Sequence, residues 1–180
     1  MELIRIMTVV AILASATAAL NLNITAIGAS NGSSTLECWQ LEEAFSVSSV
    51  PGVTGSASAL LGDTANITVT VLPAAFDGGL HNAPLNQWVA FVSGLAHISL
   101  PNNASSNAYV EGGEFGLIFA SDTADLSTKG HRTVYPGNTE TVALIIPTKD
   151  GLVPNHTTVH NGPCTADDGI GLRGLSIASE

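Results

Sequence analysis

Two histidines and a glutamine stand out in the sequence. His81 follows the turn Phe76-Asp-Gly-Gly79, Gln87 lies six residues further on, and Gly94 closes the interval as His-x5-Gln-x6-Gly. His131 comes later, ahead of Arg-Thr-Val-Tyr135, and His97 falls between. Imidazole is the side chain that both ligates divalent transition metals and exchanges protons near neutrality. His81 and His131 are therefore the candidate catalytic residues. With Gln87 they are also the candidate ligands of one divalent transition metal, although a neutral amide brings no charge to such an ion. Gln87, Trp88, His97 and Tyr135 are the candidate substrate-binding wall. Alternation from Gln87 through Val89, Phe91, Ser93 and Leu95 puts His97 on the same face as Gln87 if no bulge intervenes. Each histidine has a plainer reading beside this one: His81 as a rim turn, His97 as an edge residue, His131 as part of a solvated loop.

Positioning such groups falls to short strands. The chain has 180 residues, 45% of them hydrophobic and only 11% charged, with 18 glycines and 8 prolines. That balance suits strands joined by polar turns better than amphipathic surface helices. Residues 65–72 alternate Ile67, Val69 and Val71 with Thr68, Thr70 and Leu72, and residues 140–147 alternate in the same way. This is the period of a half-buried strand. Residues 87–92 and 95–100 read as a hairpin-like pair around Ser93-Gly94. Roughly eight strands at turn-punctuated intervals predict an all-β domain, a sandwich or a jelly-roll barrel. Asp122, Asp125, Glu111 and Glu114 read as a solvated rim, and His156 and His160 as an exposed loop.

Residues 1–18 have the form of a secretory signal peptide: Arg5, the apolar run Ile6 to Leu13, then small residues from Ala14 to Ala19. Export implies a secreted, extracellular protein. Five Asn-x-Ser/Thr sequons, at Asn23, Asn31, Asn66, Asn103 and Asn155, are expected surface glycosylation sites. The two cysteines, Cys38 and Cys164, are expected to form one disulfide in an oxidising compartment. Residues 19–35, rich in Asn, Ser and Gly, read as an exposed lead-in, 36–164 as the folded domain, and 165–180 as a flexible tail. A net charge of −10 argues against nucleic acid and against anionic membrane surfaces. There is no phosphate-binding loop and no His-Glu-x-x-His zinc helix.

The run Gly79-x-His81-x5-Gln87-x6-Gly94 resembles the first motif of the cupin superfamily, with a weaker echo of the second motif ending at His131. Three positions depart from it: Ala83 stands where a second histidine is usual, Gln87 where a glutamate is usual, and Ala75 where the leading glycine is usual. The strand wording is similar to that of small secreted cupin-like proteins of filamentous fungi. The resemblance implies a single small jelly-roll barrel of the cupin type, spanning about residues 60–147, whose interior takes a small molecule with or without a metal. Two other functions are compatible: a non-catalytic surface or host-interaction protein, and an accessory isomerase, cyclase or oxygenase of a secondary-metabolite pathway.

Overall fold

The computed structural model describes residues 20–114 and 116–169. The signal-peptide reading of 1–18 and most of the tail lie outside those residues. Among the described residues the fold is built from strands: β1 (Asn21–Ser30), β2 (Ser33–Ala44), β3 (Ser46–Val47), β4 (Ala57–Ser58), β5 (Thr68–Leu72), β6 (Phe76–His81) and β7 (Gln87–Ser93) come first. They are followed by β8 (Leu95–Leu100), β9 (Asn103–Glu111), β10 (Leu117–Ala120), β11 (His131–Tyr135), β12 (Thr141–Pro147) and β13 (His156–Asn161), with two single-turn 3-10 helices near the end. The all-β class holds. A seven-stranded sheet, β13-β2-β1-β10-β7-β12-β5, lies over a four-stranded sheet, β6-β11-β8-β9, and β3 with β4 makes a separate ladder.

Between the two large sheets is the main core. Ile27, Val89, Phe91, Ile118 and Ala143 come from the larger sheet, and Ala96, Ile98, Leu100, Ala108 and Val110 from the smaller. A second core lies on the outer face of the larger sheet, where Leu22, Ile24, Trp39, Trp88 and Phe119 pack beneath Phe45 and Leu61. Trp88 meets Phe119 edge-on at 4.8 Å, and its indole N–H donates to the Leu61 carbonyl at 3.2 Å. Such aromatic pairs add to simple burial because edge and face carry opposite partial charge. Trp88 is thus a core residue on the face away from the inter-sheet space, not part of a substrate wall.

The 19–35 segment is not an exposed lead-in. Strand β1 is buried through Ile24–Gly28 and sits between β2 and β10, the latter running parallel to it. Its apolar positions serve both faces, Ile24 and Ala26 one way and Ile27 the other. Interleaved Asn and Thr hid that pattern. The turn to β2 uses Asn31 and Gly32, both at positive φ (51° and 76°), the pair suited to a tight two-residue hairpin. The run Gly28-Ala-Ser30-Asn-Gly32 has the spacing of a nucleophile elbow, but the chain turns into a second strand rather than a helix, so Ser30 is not presented as such a nucleophile.

Ser93-Gly94 is not a hairpin turn either. Strands β7 and β8 lie in different sheets, and Gly94, at φ 83°, is the corner through which the chain crosses. A side chain there would put its Cβ 2.7 Å from the Thr141 Cα, so glycine is required sterically as well. Strand β5 is present, but its valines face outward: Val69 and Val71 are 64% and 60% exposed, while Thr70 and Leu72 face the inter-sheet space. Alternation identifies a strand without saying which face is inside.

The start of the tail is ordered by Thr165, whose backbone N–H and hydroxyl both donate to Asp168, and by Asn23, whose amide donates to the Asp168 carbonyl. Residues 156–161 are strand β13 rather than loop, and the His156 ring stacks on Trp39 with centroids 3.6 Å apart. Cys38 and Cys164 are disulfide-bonded. No helix among the described residues is long and apolar enough to cross a membrane. Of the sequon asparagines, Asn31, Asn66, Asn103 and Asn155 are exposed, whereas Asn23 is half-buried with both ends of its amide engaged.

Candidate functional site

Strands β6 and β11 pair antiparallel in the smaller sheet, and their register sets His81 opposite His131. The imidazole centroids are 4.6 Å apart. This close approach depends on Gly130 (φ 67°), since a Cβ at that position would meet the Asn82 backbone nitrogen at 2.8 Å. On β11 the residues His131, Thr133 and Tyr135 alternate toward the inter-sheet space, and Gln87, Val89 and Phe91 do the same from β7 opposite. Together they line a cavity of about 140 Å³, whose remaining wall includes Ile27, Leu72, Ile98 and Ile118. No charged side chain lines it among the described residues, counting the imidazoles as neutral.

Of the six sequence-derived site residues, the fold therefore gathers His81, Gln87, His131 and Tyr135 and leaves out Trp88 and His97. Trp88 belongs to the outer core. His97 is turned away because Ala96, Ile98 and Leu100 are the inward positions of β8, and its ring stacks on Tyr109 at 4.3 Å instead. The crossing at Gly94 resets the alternation on which its placement depended.

The two histidines are held at the same ring nitrogen. His81 Nδ1 lies 3.0 Å from the Gly79 carbonyl, and His131 Nδ1 lies 2.7 Å from Asp122 Oδ2. A carbonyl only accepts, and an ionised carboxylate only accepts, so each Nδ1 carries a proton, and in the neutral ring the lone pair lies on Nε2. Asp122 is the residue that sequence reasoning missed. Far from being a solvated rim group, it is 0% exposed, and its carboxylate also accepts from the Ser34 hydroxyl at 2.6 Å and the Ala83 N–H at 3.3 Å. Ser127 bridges Ser34 to the Gly130 N–H. Asn82 donates to the Asp122 and Ser127 carbonyls, closing the network. Nothing in the local sequence marks Asp122, because its partners come from three separate segments.

His81 is exposed at the rim, yet partial desolvation, foremost, and the neighbouring His131 hold its pKa below the ordinary 6.5, against the opposing effects of the Gly79 carbonyl and Asp122. The folded chain thus binds that proton less readily than the unfolded chain, and stability falls as pH drops from above 6.5 through the lowered pKa. Replacing His81 by asparagine should flatten this decline in urea titrations run between neutral and mildly acidic pH. An unchanged slope would show that the ring is not held neutral. Below that range Asp77, kept at about 2 chiefly by the hydrogen bond from Arg132, is a separate contributor on the outer side of the same strand pair. Tyr135 is pushed up by burial and stays a protonated phenol.

Gln87 is the anomaly of the site. It is 7% exposed, and its buried Oε1 has no hydrogen-bond partner among the described residues. A buried acceptor left unpaired costs about 1–3 kcal/mol. Replacement by leucine, near in volume, should therefore raise stability by roughly 1–3 kcal/mol in chemical denaturation. A loss of stability would mean that the amide is structurally satisfied.

As a metal site the set is poor. His81 and His131 offer two neutral nitrogens and Gln87 a neutral oxygen, while the nearby carboxylate, Asp122, is committed to the Nδ1 side of His131. Divalent Fe, Mn, Ni and Zn are better served by an anionic ligand alongside imidazole. Elsewhere Cys38, His160 and Asp168 bring ligand atoms within 4.8 Å of one another, but the Cys38 sulfur is already in the disulfide and His160 Nε2 is hydrogen-bonded to Asp168. The site is thus defined as a small, largely apolar pocket between two β-sheets, with two imidazoles and an amide oxygen that has no partner among the described residues.

No protein-family model matches the chain, and no curated protein matches it. Among solved structures, a protein of Bacillus halodurans aligns with a TM-score of 0.36 at 18% identity, covering 54% of this chain and 70% of its own. A conserved Streptococcus pyogenes protein of unknown function aligns with a TM-score of 0.33 at 20% identity, covering 46% of this chain and 64% of its own. Likeness at this level carries no functional argument, so function must be argued from the pocket.

Proposed function

We propose that the chain is a secreted, cupin-type jelly-roll protein whose inter-sheet pocket binds a small, uncharged organic molecule without the help of a metal. The carrying observation is Gln87: a buried, unpartnered carbonyl oxygen set in an apolar wall beside two imidazoles. A ligand that is mostly apolar and presents one O–H or N–H would satisfy that oxygen and fill the wall at once. The cavity, about 140 Å³, matches in scale the apolar cavities of roughly 150 Å³ that take up benzene. One ring is therefore the expected size of the buried part. The cupin reading is supported by the placing of His81 and Gln87 at the motif offset and of His131 across from His81.

Phenol and toluene test this as a matched pair differing in one hydroxyl. In calorimetric titrations the native chain should bind phenol more tightly than toluene, and Gln87→Leu should reverse the order. Equal affinity of the two for the native chain would sink the assignment to Gln87. Elemental analysis of protein refolded in the presence of Fe, Mn, Ni and Zn salts and desalted should find no stoichiometric metal. One equivalent retained, and lost in His81→Ala, would overturn the metal-free reading.

A further inference from the structure

The pocket's binding groups do not account for Asp122. A wholly buried carboxylate that accepts from His131, Ser34 and the Ala83 N–H fixes both the plane and the tautomer of the His131 ring. Its effect at the pocket is to fix the neutral ring in the tautomer whose lone pair is on Nε2 and to stabilise the imidazolium once Nε2 gains a proton. We propose that His131, positioned by Asp122, is a general base that removes a proton from a carbon next to a carbonyl in a small uncharged substrate. This rests on the ligand-binding reading above and names the substrate class of that site.

In the step, the proton passes to His131 Nε2, the C–H electron pair becomes the C=C bond of an enolate, and the carbonyl π pair moves onto oxygen. The imidazolium, paired with Asp122, then returns the proton to the same carbon or to a conjugated one. The net change is an isomerisation that consumes nothing. The absence of charged side chains from the lining among the described residues fits a neutral substrate.

Two measurements test the base directly. Nitrogen-15 NMR of the native chain should find the His131 proton on Nδ1 and a bare Nε2. The chromogenic carbon acid 5-nitrobenzisoxazole reports the proton transfer: loss of its ring C–H proton to a base forms a nitrile as the N–O bond breaks to a phenolate. The native chain should accelerate this elimination, and His131→Ala should lower the rate by about 100-fold, with partial rescue by added imidazole. Asp122→Asn should shift the tautomer toward Nε2–H and slow the elimination while phenol still binds, which a purely structural Asp122 would not do. The first two readouts need no folded Asp122 variant. A native Nε2–H tautomer, or equal rates for the native chain and His131→Ala with phenol binding intact, overturns the base and leaves the binding reading standing. Failure of phenol to bind removes both.

Discussion

Reducing the Cys38–Cys164 disulfide, or replacing both cysteines by alanine, should lower the stability of the domain by about 5 kcal/mol. The bridge spans 126 residues with its Cα atoms 4.5 Å apart, and the loop it closes contains every strand from β3 to β13 and the pocket wall apart from Ile27 of β1. A cross-link over so long a loop removes many conformations from the unfolded chain, which is the source of the magnitude. It also anchors the end of the fold, where the buried Cys164 N–H donates to the Thr25 hydroxyl of β1 at 3.0 Å. For a domain of this size the loss corresponds to a melting temperature lower by roughly 10–20 °C. Calorimetry under matched oxidising and reducing conditions reads it directly. A change under about 1 kcal/mol would mean that the unfolded chain is already compact around these residues.

Asp122→Ala should be nearly as damaging, at about 3–5 kcal/mol. The substitution removes a single carboxylate, yet three donors lose their acceptor together: His131 Nδ1–H, the Ser34 hydroxyl and the Ala83 N–H. They lie in the interior, where water does not readily replace the lost partner. Asp122→Asn keeps one acceptor oxygen and should cost markedly less. Urea denaturation of the two variants separates the cases, and equal effects would argue that the carboxylate's charge, not its hydrogen bonds, carries the network. The damage should also be local. Amide hydrogen exchange should rise first at Ala83 and Gly130, whose N–H groups are tied to this network directly or through Ser127.

The strands were legible because alternation and turn residues are local signals. Residues 68–72 and 141–147 are strands as their pattern implies, and the pairing of Cys38 with Cys164 followed from there being no other cysteine. What stayed hidden depended on registers between distant segments. Val69 and Val71 look like core residues in sequence, but β5 is the edge of the larger sheet and turns Thr70 and Leu72 to the pocket. Counting outward from Gln87 failed at His97 because the count ran through Gly94, where the chain changes sheets. Strand β1 was concealed because a central strand with asparagines at its lateral positions resembles a polar leader. At the site, His81, Gln87, His131 and Tyr135 could be selected by residue type. Asp122 could not, since its role exists only where Ser34, Ala83 and His131 converge on it.

The central claim is that a small organic molecule sits between the sheets beside Gln87 and His131. Intermolecular nuclear Overhauser effects in the phenol complex of the native chain test it most directly. Contacts are expected from the phenol ring protons to the methyl groups of Val89, Ile118 and Ile145 inside the pocket. Contacts confined to the exposed methyls of Val69 and Val71 on the outer face, or none at all, would contradict it.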